Sequence, residues 1–201
     1  MTNPWIACQI LDLTPYFNND GISFDANRGD GDFAGLGVTY PAEDLPPSNA
    51  LVVCHGVPFR FPDKGDGLNN NISMEGQRIS VSRARFANLF LLGAAEENSL
   101  EDVIRFVYGS GRQHETPLGL SSWRLGHDLK YGERVAIECR GYHFLTHDVH
   151  TDLLGVDYGI WLQRVAIDPT ECLAAIELPD NPGMHVFALT LQLPGCHKGE
   201  Q

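Results

Sequence analysis

The sequence predicts an all-β fold: an antiparallel β-sandwich or jelly roll in a single domain spanning residues 1–201, with an ordered core over about 11–191 and a frayed tail from 194. Three observations carry this. Short apolar or alternating runs recur roughly every ten residues. Most of the 21 glycines and 12 prolines fall between those runs, where turns need a positive or a fixed φ. No long stripe of 3.6-residue period exists, so a helical or α/β fold is not expected.

Taken in order, strands are expected at residues 5–12, 37–40, 51–54, 57–61, 71–72, 77–81, 88–94, 101–108, 113–118, 134–138, 142–145, 160–166, 173–178 and 185–193. Prolines in "YPAEDLP" and "IDPT" stand where a chain leaves a strand and ladder pairing must stop. "GVPF" offers a turn into an alternating strand. "FLLGAA" is nearly continuous in apolar residues, as a strand in the middle of a sandwich should be. In "HVFALTL", strict alternation puts Val186, Ala188 and Thr190 on one face and Phe187, Leu189 and Leu191 on the other, with one face in the core. The Asp-Asn-Pro-Gly run at 180–183 reads as the turn that opens this closing strand. Only 82–86 and 128–132 suggest short helical turns.

Composition narrows the function. Charged residues are 20% of the chain and the formal net charge is −12. Such a surface repels phosphate backbones and anionic lipid, so neither nucleic acid nor a membrane is an expected partner. No apolar run is long enough to span a bilayer. The first residues carry neither a basic n-region nor an apolar h-region, which makes a cytoplasmic location the expectation. The five cysteines are scattered, odd in number and never in a CxxC pair, which argues against a disulfide framework and a Cys-rich zinc site.

A family resemblance enters through "LDLTPYFNNDGIS", "GLGVTYPAEDLP", "VPFRFPDKGDGLNNNISMEGQRISV", "LFLLGAAEE", "SSW" and "YGIWLQRVAIDPTECLAAIELPDNPGMHVFALTL". In this order and spacing the series resembles the β-sandwich accessory modules of secreted glycoside hydrolases, which are galactose-binding-type jelly rolls. The resemblance runs from about Leu11 to Leu191. It implies the sandwich, a sugar or other small ligand, and a structural calcium between the first loop and the last strand. These signatures are turns and strand ends, so they speak for fold far more than for function.

Four constellations can carry chemistry. In residues 17–35, Asp20, Asp25, Asn27, Asp30 and Asp32 crowd a Gly-rich loop, the oxygen-rich composition that calcium prefers. The alternative is a solvated acidic turn whose Asp and Asn side chains bond their own backbone. In residues 141–161, His143, His147 and His150 lie close to Asp148 and Asp152. Imidazole–carboxylate pairs can transfer protons near neutral pH, and three imidazoles can hold a transition metal, although no known ligand spacing is matched. Trp123, Tyr142, Tyr158 and Trp161 offer flat faces to a sugar or a conjugated molecule, with core packing as the plainer reading of each. His55, Arg60 and Arg124 can donate hydrogen bonds to its oxygens. Finally, Ser121, Ser122 and His127 raise a nucleophile–base pair, but no G-x-S-x-G elbow supports it. Phosphate-loop and dinucleotide fingerprints are absent, so no organic cofactor is expected.

The function expected from these readings is a free-standing β-sandwich acting as a cofactor-independent enzyme. Its chemistry would be cyclisation, isomerisation or cycloaddition of a secondary-metabolite-like molecule. His143, His147, Asp148 and Arg124 would be catalytic. The alternative is a non-catalytic carbohydrate-binding module or lectin. Glycoside hydrolysis is not expected, because the resemblance is to the accessory module. Exposed sandwich edges can pair two copies into a homodimer.

Overall fold

The computed structural model describes residues 8–35, 37–124, 129–144 and 158–195. They form an all-β fold whose only helical pieces are three short 3₁₀ turns, Thr14–Tyr16, Asp25–Asn27 and Ala42–Asp44. The strands are β1 (Cys8–Ile10), β2 (Ile22–Ser23), β3 (Val38–Pro41), β4 (Leu51–Cys54), β5 (Val57–Arg60), β6 (Ile72–Glu75), β7 (Arg78–Ala84) and β8 (Asn88–Ala95). They continue with β9 (Leu100–Tyr108), β10 (Gln113–Leu120), β11 (Arg134–Cys139), β12 (His143–Phe144), β13 (Tyr158–Ala166), β14 (Leu173–Glu177) and β15 (Asp180–Gln192). No helix among the described residues is long and apolar enough to cross a membrane.

The central sheet runs β1-β15-β8-β13-β11, with β6 pairing the first part of β15. A second antiparallel sheet, β10-β9-β14-β7, covers one of its faces. Between them lies a core of Leu89, Leu91, Ile104, Phe106, Val165, Ile176, Val186 and Leu189 among others. The opposite face of the central sheet is also covered, by the hairpin β4-β5 and by the small sheet β12-β3-β2. A second core fills that space, with Phe33, Tyr40, Phe59, Phe61, Leu92, Trp123, Ile160, Trp161 and Phe187. Burial on both faces is why "FLLGAA" in β8 is apolar without alternation.

Four expectations change. β15 begins at Asp180, so the Asp-Asn-Pro-Gly run lies inside the ladder. Its register against β6 shifts between Asn181 and His185, and a bulge absorbs the Pro and Gly. A second shift against β8, between Val186 and Ala188, breaks the strict alternation expected for "HVFALTL". Val186, Leu189 and Leu191 therefore share the first core, while Phe187 and Ala188 face the second, so both faces of the strand are core. Residues 82–84 continue β7, and residues 129–132 carry no helix. The β4-β5 turn is made by His55 and Gly56, both at positive φ (48° and 82°), the two-residue geometry that matches strand twist.

Candidate functional site

The candidate site is an open cleft of about 410 Å³ lined by Asp25, Pro41, Glu43, Asp44, Arg140, Gly141, Tyr142 and His143. Three local choices build it. Pro41 ends β3 and starts the 3₁₀ turn that carries Glu43 and Asp44. The turn Asp25–Asn27 presents Asp25, whose backbone N–H donates to Glu43 Oε1 at 2.9 Å. β12 pairs with β3 in the register His143↔Thr39, which sets the histidine in the wall.

His143 is buried, and its Nδ1 lies 3.1 Å from Ser23 Oγ, which lies 2.5 Å from Thr39 Oγ1. Burial, helped by the nearby Arg28 guanidinium, holds the imidazole below its ordinary pKa, so it is neutral at neutral pH. The carboxylates differ from one another. Asp25 pairs with Arg28. Asp44 accepts Nε and Nη2 of Arg140 at 3.0 and 2.6 Å and the Arg140 backbone N–H at 2.9 Å. Burial alone would raise Asp44, but these bonds outweigh it and hold the carboxyl below the usual range. Beneath the same turn, Lys64 is 7% exposed and donates Nζ–H to Ala42 O at 2.5 Å and Leu45 O at 3.2 Å.

Behind Tyr142 stands a cluster of aromatic rings. Tyr142 and Tyr158 are 5.1 Å apart between centroids, Trp123 and Tyr158 4.6 Å, and Trp123 and Tyr142 6.1 Å. Arg124 lies over the Tyr158 ring at 6.0 Å. Residues 123–124 are placed there by backbone bonds from Trp123 N to Ala95 O and from Gly159 N to Trp123 O, each 2.8 Å. Burial pushes the Tyr158 hydroxyl above its ordinary pKa, so it stays a neutral phenol.

The structure thus brings together Tyr142, Tyr158, Trp123 and Arg124, with His143 next to Tyr142 in the cleft wall. Trp161 stands apart: it is fully buried and donates Nε1–H to the carbonyls of Ser121 and Ser122, 3.0 Å each. Its role is core packing, because a two-sided central strand has no free face for it. Ser121 is buried too, donating N–H and Oγ–H to Glu133 at 2.5 and 2.6 Å. His55 is at the β4-β5 tip, its Nε2 2.7 Å from Val135 O. Arg60 lines a different hollow, with Phe61, Phe187, Leu13 and Leu68. His147, Asp148, His150, Asp152 and His127 lie outside the described residues.

The acidic loop does not converge as a unit. Asp25 and Asn27 belong to the exposed 3₁₀ turn beside the cleft. Asp32 is also exposed, and its backbone N–H donates to Asp20 O at 2.7 Å. Asp20 is half-buried. Its Oδ1 accepts Asn70 Nδ2–H at 2.5 Å, and its Oδ2 is enclosed without a partner among the described residues. Burial, with Asp30 and Asp66 nearby, lifts Asp20 to about 6. Asp30 accepts the Gly67 N–H at 2.5 Å. Among the described residues no three His, Cys, Asp or Glu side chains gather to hold a metal ion. Among the described residues this loop offers a hard cation one unpartnered carboxylate oxygen, Asp20 Oδ2.

Sequence reasoning did not single out Ser23, Thr39, Glu43, Asp44, Lys64 or Arg140. "YPAEDLP" was legible as a turn, and its two acids were the available signal. The Asp44–Arg140 pair joins residues far apart in the chain, which spacing cannot reveal.

No curated protein matches the chain. A family model described as the AziU2-like β-sandwich domain matches residues 7–193, which agrees with the sandwich and names neither a carbohydrate-binding module nor a glycoside hydrolase. With that match over nearly the whole chain and the layered sheets beneath it, the chain belongs to the family of AziU2-like β-sandwich domains.

Proposed function

We propose that this chain is a cofactor-independent catalyst of cyclisation, isomerisation or cycloaddition type, working on a small secondary-metabolite-like molecule in the Tyr142–His143 cleft. The observation that carries the reading is His143, a neutral imidazole in the wall of an open cleft, with Nδ1 held against Ser23 Oγ, itself bonded to Thr39 Oγ1. That support fixes the ring and leaves the other nitrogen for proton transfer. The family name supports the substrate class, since it derives from a protein linked to secondary metabolism.

The chain's own residues suit a positioning catalyst. In a ring closure, His143 takes the proton from a substrate N–H or O–H as that atom bonds to an electrophilic carbon. The displaced electron pair leaves with the departing group. In an isomerisation the same base moves a proton between two carbons. The carboxylates of Asp25, Glu43 and Asp44 favour a neutral or cationic group in the cleft over an anion. Asp25 and Asp44 are tied to arginines, so a glycosidase-like acid–base pair is not part of the reading. The carbohydrate-module reading needs exposed aromatic platforms, and Trp123, Tyr158 and Trp161 are all buried.

The test is turnover of metabolites made by neighbouring genes, followed by mass spectrometry with wild type and His143→Ala. Loss of at least 100-fold in the variant, with its melting temperature retained, is expected for a general base. Glycan-array binding with no turnover of any candidate would overturn the proposal.

A further inference from the structure

Two adjacent residues behind the cleft keep buried N–H donors that no group among the described residues accepts. Trp123 is 1% exposed, and its Nε1 has no hydrogen-bond partner among the described residues. Arg124 Nε is enclosed and equally unmet. The neighbouring indole shows what the fold normally does: Trp161 Nε1 is answered by two carbonyls. A buried donor without an acceptor costs its full desolvation, and native interiors keep few of them.

The unmet groups share a sign. Both are donors, and one belongs to a guanidinium, whose planar fork matches a carboxylate. Both side chains pack on Tyr158, and Tyr142, which lines the cleft, has its ring within 6.1 Å of Trp123 and 5.1 Å of Tyr158. The donors therefore lie one aromatic side chain behind the cleft wall. Rings on that path favour a flat, unsaturated group. At the other end, the cleft carboxylates disfavour a second negative charge.

We propose that Trp123 and Arg124 form the carboxylate-recognising end of the cleft, so that the ligand is a small planar monocarboxylate whose far end is neutral or cationic. This rests on reading the cleft as the substrate site. Tyr142 turns aside to admit the acid. The Trp123 indole N–H and the Arg124 guanidinium N–H then donate to its oxygens, and the far end sits among Asp25, Glu43 and Asp44.

Three probes test it on the full chain by titration calorimetry: benzoate, benzamide and benzylamine. Benzoate is expected to bind more tightly than benzamide; benzylamine, which has no acceptor, can be held only by the cleft carboxylates, so its affinity is expected not to change in Arg124→Gln. Arg124→Gln should weaken benzoate at least ten-fold and leave benzamide nearly unchanged. Trp123→Phe should weaken both at least ten-fold, because it removes the indole N–H. Arg124→Lys should restore part of the benzoate affinity, and together with Arg124→Gln it decides the matter if Trp123→Phe does not fold. Benzoate that fails to bind wild type, or binds wild type and Arg124→Gln equally, overturns the inference. The two readings fail separately. Benzoate binding without His143-dependent turnover keeps the carboxylate end and removes the enzyme. His143-dependent turnover without benzoate binding does the reverse.

Discussion

At the scale of the residue, burial moves the titrations of His143 and Asp20 in opposite directions. His143 is held below its ordinary pKa chiefly by desolvation, so its neutral form persists to lower pH than in a free imidazole. If it is the base, kcat/KM stays flat through neutrality and falls only as pH drops below 6.5, with a slope of one proton; a flat acid limb in wild type would remove His143 from the chemistry. Asp20 runs the other way. Its carboxyl is raised to about 6, above the unfolded value of 3.8, so the folded state binds the proton more tightly. Stability should therefore rise as pH falls from above 6 toward 4, by on the order of 1 kcal/mol after allowing for solvent screening. Asp20→Asn should make stability higher at pH 7.5 and flatten that rise, as chemical denaturation across pH will show. Calcium supplies a contrast. A melting temperature raised by calcium and lowered by EDTA in wild type, and unmoved in Asp20→Asn, would give the enclosed Oδ2 to an ion instead of a proton.

At the scale of the element, the Ala42–Asp44 turn has to place Glu43 and Asp44 in the cleft without help from a long strand. Lys64 does this from below, with its ammonium on two carbonyls of the turn and 5.8 Å above the Phe24 ring. Lys64→Met keeps the apolar stem and removes those donors. It should lower stability by about 1–3 kcal/mol and weaken ligand binding in the cleft more than it changes the chemical step. A variant with wild-type stability and affinity would show the clamp to be idle. The elements themselves were legible to different degrees. β8, β9 and β13 are long and strongly apolar, and their positions follow from pattern alone. β2 is only Ile22–Ser23, too short to carry a period, yet Ser23 is what holds His143. The histidine and the tyrosines were visible as types of residue. Their convergence with Trp123 and Arg124 depends on the Arg124–Tyr158 bridge and the β12-β3 register, which are long-range pairings that no local pattern encodes. Trp161, for which core packing was the plainer reading, is a related case, because periodicity cannot distinguish a ligand-facing aromatic from one between two cores.

At the scale of the molecule, β15 is the strand common to everything. It pairs with β1, β6 and β8, and its two bulges turn Leu189 and Leu191 to one core and Phe187 and Ala188 to the other. Its buried His185 also reaches out, with Nδ1 2.8 Å from Asn71 Oδ1 and Nε2 3.1 Å from Glu96 Oε1, so the loop bearing Asp20 is fastened to the same strand through Asn71 and Asn70. The site-bearing layer and the second sheet are thus joined through one element, and they should unfold together. Truncating either core tests this. Leu189→Ala leaves a hole in the first core and Phe187→Ala in the second. Each is expected to cost about 2–5 kcal/mol and to lower a single melting transition. Hydrogen exchange should then report equal losses of protection in β9, across the first core, and in β3, across the second. Were Phe187→Ala to melt the β2-β3 region early and leave β9 protected, the cleft would sit on its own unit of folding, and its stability could be tuned apart from that of the sandwich.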